Sequence, residues 1–147
     1  MHSDAYHAGG RASAAHYQFP FADGSFDVVF LGSVFTHMLP HEVANYLNEI
    51  GRVLAPGGRC VASFFLLNDA TREGVERKRS FMSFGVRDPS GRARLHDAAI
   101  PEAAVALEES FVSECCGRSG LAVKEVRRGG WAQGTTNDQD VVTLVRQ

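Results

Sequence analysis

The sequence is poor in cysteine, has no long apolar run and is nearly balanced in charge, and each lack removes a class of protein. Its three cysteines, Cys60, Cys115 and Cys116, are too few for a disulfide framework, and the adjacent pair could bridge only with strain. Neither a CxxC nor a Cys/His zinc spacing occurs, so reduced thiols in a cytoplasmic protein are expected. The longest apolar run, Val61 to Leu67, contains Ser63 and falls far short of the roughly 20 residues of a membrane span. No apolar signal core follows Met1, so secretion is not expected. Fifteen basic against 17 acidic residues leave a net charge of -2, which favours neither nucleic acid nor anionic lipid. What is present is core material. Ten Phe, three Tyr and one Trp in 147 residues suffice for one soluble domain but not two.

The order of elements is readable from Phe19 onward. Residues 1–18 are rich in Ala, Gly and His without sustained period and are expected to be loop or poorly ordered. A turn cluster, Pro20 with Asp23-Gly24-Ser25, precedes Phe26-Asp27-Val28-Val29-Phe30-Leu31. That short, almost continuously apolar run predicts a strand buried on both faces. Pro40 to Leu54 reads as a helix, with Pro in its first turn and Val43, Leu47, Ile50 and Leu54 on one face. Pro56-Gly57-Gly58 then stops it, and Arg59 to Phe65 forms a second buried strand, completing a βαβ unit. Residues 68–100 carry seven basic residues between Thr71 and Arg94 against three acids and read as an insertion lying over the sheet. A second helix is expected from Pro101 to about Ser119, then strands at Leu121–Val126 and Val141–Val145 that pair antiparallel.

Two blocks carry a resemblance. Phe19-Pro20-Phe21-Ala22-Asp23-Gly24-Ser25-Phe26-Asp27-Val28-Val29 is similar to the "lPf.d.sFDvV" stretch of ubiquinone-biosynthesis-type methyltransferases, and Glu49 to Arg59 to their "EiaRvLkPGGr" segment. At this spacing the pair resembles the C-terminal half of a class I S-adenosylmethionine-dependent methyltransferase domain over 19–147. The resemblance implies an α/β fold, a partial Rossmann-like sheet holding strands four to seven of the family fold with the last antiparallel. Ligands would lie at the C-terminal strand ends. Gly32, Ser33, Val34 and Phe35 would bind the cofactor, S-adenosylmethionine, at its methionine end. His37 would face the acceptor, where an imidazole with an ordinary pKa of about 6.5 can take a proton. The family's opening strand, its Gly-rich turn and the acidic residue that binds the ribose hydroxyls have no counterpart here; Gly9-Gly10 has no apolar strand before it. The missing part is expected upstream of Met1 in the same reading frame.

Other groups read as structural. His37 and His41 lack a third metal ligand, Asp27 and Arg52 read as loop-holding ion pairs, and the basic 71–94 stretch reads as a solvated face. One Arg128-Gly129-Gly130-Trp131 element in a neutral domain is no nucleic-acid signal. The expected partner is a small-molecule substrate, with neither nucleic acid nor membrane. The alternative is a non-catalytic interaction module that forms a homodimer through its exposed sheet edge.

Overall fold

The computed structural model describes residues 13–147; expectations for 1–12, Gly9-Gly10 included, lie outside these. Three helices and seven strands follow one another: β1 (Phe26–Leu31), α1 (Pro40–Val53), β2 (Leu54–Leu67), α2 (Asp69–Glu76), β3 (Val86–Arg87), β4 (Ala93–Leu95), β5 (Val105–Glu108), α3 (Glu109–Arg118), β6 (Leu121–Arg127) and β7 (Asp140–Arg146). All seven strands join one sheet, in the order β3-β4-β5-β2-β7-β6, with β1 also against β2. β1 and β5 run parallel to β2, whereas β7 runs antiparallel between β2 and β6. The antiparallel β7 beside the edge strand β6 is the feature the resemblance implied, and the βαβ unit the one the residue pattern predicted; β4 is a second antiparallel strand.

Local chemistry explains α1. Pro40 occupies the first helical position, and the Glu42 carboxylate reaches back to accept from the Leu39 N–H at 2.8 Å, meeting one of the orphan donors of a helix start. The helix stops at Val53, and Leu54 is already extended and begins β2. Pro56-Gly57-Gly58 therefore sits inside β2, where it displaces the register with β1 between Phe26 and Val28. Gly51 lets α1 approach the end of α3: a Cβ there would lie 2.1 Å from the Ser119 carbonyl oxygen.

β2 organises two cores by simple alternation. Phe64 and Leu66 point to a cluster shared with Leu47, Ile50, Val112 and Leu144. Phe65 and Leu67 point the other way, to Val75, Phe84, Ala106 and Trp131. α2 and the Phe81–Phe84 segment cover this second face only at the C-terminal part of β2.

Three expectations are corrected. β1 is covered on one face: Val28 and Phe30 are 64% and 74% exposed, because no described element lies over them. The 68–100 region does not merely lie over the sheet, since β3 and β4 extend it antiparallel beyond β5. Pro101 to Ser119 is not one helix. A single 3-10 turn at Pro101–Ala103 leads into β5, and helix begins only at Glu109. Within the expected loop, Ala14–His16 forms a 3-10 turn, and Asn45 Nδ2 donates to the Ala14 and Tyr17 carbonyls at 2.9 and 3.0 Å.

Candidate functional site

β1, β2, β5 and β6 all end on the same side of the sheet, given their pairing directions. The chain leaving β1 there makes a sharp turn. Gly32 and Ser33 are exposed, and Ser33 has φ +55°, a left-handed conformation that costs a side-chain-bearing residue energy. Hydrogen bonds to two residues hold it. The Ser33 N–H donates to Ser63 Oγ at 2.7 Å, and Gln139 Nε2 donates to Ser33 Oγ at 3.0 Å. Ser63 lies on β2 and Gln139 on the approach to β7, so three strands fix one turn.

The rest of the segment dives into the core. Val34 is half-buried, while Phe35 is wholly buried and stacks on Phe64 with centroids 4.7 Å apart and planes 9° from parallel. Its ring is withdrawn from the surface, so what Phe35 can offer a cofactor there is backbone. Thr36 is buried, and its Oγ1 has no hydrogen-bond partner among the described residues. His37 is half-buried, with Nδ1 3.0 Å from the Glu102 carbonyl oxygen. A carbonyl only accepts, so Nδ1 carries the hydrogen and a neutral ring keeps its lone pair on Nε2.

Gly32 and Ser33 thus offer exposed, side-chain-poor backbone at the C-terminal end of β1. It forms a single wall. Sequence reading named Gly32 and Ser33 but not Ser63 and Gln139, because hydrogen bonds across 30 and 106 residues leave no local pattern.

An ion-pair belt surrounds the ends of β2 and β5. Arg128 grips Glu109 in a fork of 2.7 and 2.8 Å, and Asn68 Nδ2 donates to the same carboxylate at 3.0 Å. The Arg128 bond, then Asn68, hold the Glu109 pKa below its usual 4.5 against burial. Arg72 pairs with Glu108 and Asp69. Arg77, Arg79, Arg92 and Arg94 likewise reach Glu73, Glu114 or Glu76. The basic 71–94 stretch is therefore largely neutralised by pairs within the fold. Arg52 is the clip expected from its position, binding Glu49 and Asp23. Among the described residues no group of His, Cys, Asp and Glu could hold a metal, and no helix is long and apolar enough to cross a membrane.

Residues 5–62 match a family model described as a methyltransferase domain. The fold is similar to that of the PH0226 protein from Pyrococcus horikoshii OT3 at 19% identity and a TM-score of 0.61, covering 92% of this chain and 57% of that one. It is also similar to the 1,6-didemethyltoxoflavin-N1-methyltransferase of Burkholderia thailandensis, solved with 1,6-didemethyltoxoflavin and S-adenosylhomocysteine. There the identity is 15% and the TM-score 0.56, covering 92% of this chain and 49% of that one. A methyltransferase from Methanosarcina mazei described as SAM-dependent matches at 18% identity and a TM-score of 0.51, over 91% and 63% of the two chains. The chain spans about half to two thirds of these structures' lengths.

Proposed function

From the class I methyltransferase fold that this chain carries, we propose that its protein transfers a methyl group from S-adenosylmethionine to a small-molecule acceptor. The observation that carries the reading is the strained Ser33 turn at the C-terminal end of β1, where doubly wound sheets bind their ligands. The cofactor supplies a methyl group on a sulfonium, ready for in-line displacement. Gly32 and Ser33 present backbone to it, and Phe35 on Phe64 anchors the turn. His37 Nε2 takes the proton of an acceptor hydroxyl or amine as the new bond to carbon forms. Alignment and exclusion of water do most of such a reaction, so few catalytic side chains are needed. The toxoflavin-type relative, with both an organic acceptor and S-adenosylhomocysteine bound, supports this class of substrate. Buried free thiols suit a cytoplasmic setting: burial pushes Cys60 and Cys116 up to about 12, which keeps them unreactive.

Calorimetric titration with S-adenosylhomocysteine tests the reading. A chain extended upstream in frame should bind, while the 147-residue chain should bind far more weakly, since it supplies one wall. Replacing His37 with Ala in the extended chain should leave that affinity unchanged, because the ring faces the acceptor. Failure of both chains to bind overturns methyl transfer. Micromolar binding by the short chain overturns the assignment of the main grip to upstream residues.

One observation favours a second reading, a non-catalytic module that pairs with its own copy. Among the described residues β1 pairs only with β2, and Val28, Phe30 and Phe21 are exposed beside its open edge. Light scattering during size exclusion should then report a dimer that Phe30→Glu converts to monomer; a strict wild-type monomer rules this reading out.

A further inference from the structure

On the same side of the sheet as the Ser33 turn, a recess of about 490 Å³ opens between the end of β6 and the start of β7. Its size lies within the usual range for small-ligand sites. Arg127, Arg128, Asn137, Asp138 and Gln139 contribute its polar groups. Arg128 is committed to Glu109. Arg127, also in the lining, is exposed and forms no ion pair with any described acid, so its guanidinium is unclaimed. Gln139 belongs both to this lining and to the Ser33 turn through its hydrogen bond, which makes recess and turn neighbours.

The recess is rigid. Gly129 comes so close to the returning chain that a Cβ there would sit 1.9 Å from the Asp138 carbonyl oxygen. The Gly129 N–H donates to Asp140 Oδ1 at 3.0 Å, and the indole of Trp131 is wholly buried beneath the loop. A preformed polar wall loses little entropy when a ligand arrives.

We propose that this recess binds a carboxylate of the methyl acceptor, with Arg127 as its cation and Gln139 relaying its position to the Ser33 turn. A guanidinium matches a carboxylate in a two-point fork, which fixes orientation as well as position. Asp138 also belongs to the lining and offers an acceptor to any hydrogen-bond donor that the acceptor molecule carries beside its carboxylate. The proposal rests on the methyl-transfer reading and deepens it.

Succinate serves as the probe, titrated at constant ionic strength into the 147-residue chain and followed on the amide resonances of Gly129 and Gln139. Saturable shifts are expected there. Arg127→Gln should weaken binding at least about tenfold, the scale of one charged hydrogen-bonded contact, and Asp138→Asn should strengthen it. Arg87→Gln, which removes an unpaired arginine at the far edge of the sheet, should change nothing. Absence of saturation overturns the proposal, and so does an equal loss with Arg87→Gln, which marks non-specific attraction. Displacement of succinate by S-adenosylhomocysteine in the extended chain also overturns it, because the carboxylate site would then belong to the cofactor. Binding of S-adenosylhomocysteine itself is read separately, so loss of the recess leaves the methyl-transfer reading standing.

Discussion

Replacing Asp140 with Ala should destabilise the chain by about 3–5 kcal/mol, the scale of removing one partner from a buried charged network. Asp140 is 1% exposed and accepts three hydrogen bonds. The Leu66 N–H and the Trp131 Nε1–H both donate to Oδ2 at 2.9 Å, and the Gly129 N–H donates to Oδ1 at 3.0 Å. One carboxylate therefore joins the end of β2, the indole and the loop after β6. Alanine would orphan all three donors in a dry interior, where each costs roughly 1–3 kcal/mol. Asp140→Asn keeps the shape but turns an NH₂ group toward a donor, so it should fall between alanine and wild type. Trp131→Phe, which leaves the carboxylate with its two backbone donors, should cost less than Asp140→Ala. Urea unfolding checks the order, with the midpoint falling and the slope unchanged. A loss under about 1 kcal/mol for alanine would show that water replaces the carboxylate, as it does at exposed hydrogen-bonding groups.

The same network marks where sequence reading stops. β1, α1, β6 and β7 are legible because each is a run whose period or β-branched content names its type. β5 is not. Ala104, Leu107, Phe111 and Cys115 recur at helical spacing, yet Val105 to Glu108 is extended, because the end of β2 leaves a slot that a parallel strand fills. There Val105 and Leu107 enter one core and Ala106 the other, a division that helical spacing disguises. β3 and β4, two and three residues long, are too short to carry a period. The site shows the same divide. The Gly32-Ser33 turn is visible as the end of a strand, but its partners come from distant strands. Arg92 finds its acid on α3, which makes a face of seven basic residues far less cationic than it reads. β1 is the opposite case, since its apolar run says covered and the fold says open at Val28 and Phe30. Such a conflict between pattern and burial is expected at functional or partner surfaces, and it is why both readings of β1, cofactor wall and pairing edge, deserve their separate tests.

Acidification should destabilise the chain from about pH 4.5 downward, the usual carboxylate range, and Glu49→Gln should flatten that decline. Glu49 is 6% exposed and lies under Arg52. Arg52 Nε donates to Glu49 Oε1 at 2.9 Å and Nη2 to Oε2 at 2.7 Å, while the Phe19 N–H reaches Oε2 at 2.7 Å. The same guanidinium donates to the Phe19 and Phe21 carbonyls and to Asp23 Oδ1, stitching residues 19–23 onto α1. The Arg52 bond, first among several causes, holds the Glu49 pKa below its usual 4.5 although burial opposes it. A carboxyl whose folded pKa is depressed contributes stability that is fully present above its unfolded value. That contribution disappears as pH falls through the lower, folded one. Glu109 acts in the same direction through Arg128. Glu42, raised by burial, acts in the opposite one and softens the acid limb. At neutral pH, Glu49→Gln should lower Tm by roughly 5 °C, a shift of the size expected from losing a charged hydrogen-bond pair in a domain of this length. Well below pH 4.5 wild type and variant should converge, because the wild-type carboxyl is then protonated as well. Thermal unfolding across pH 3–7 separates the possibilities. Two curves that stay parallel into acid would mean that Glu49 acts by shape rather than charge, and that the Arg52 clip is held by its bonds to the Phe19 and Phe21 carbonyls alone.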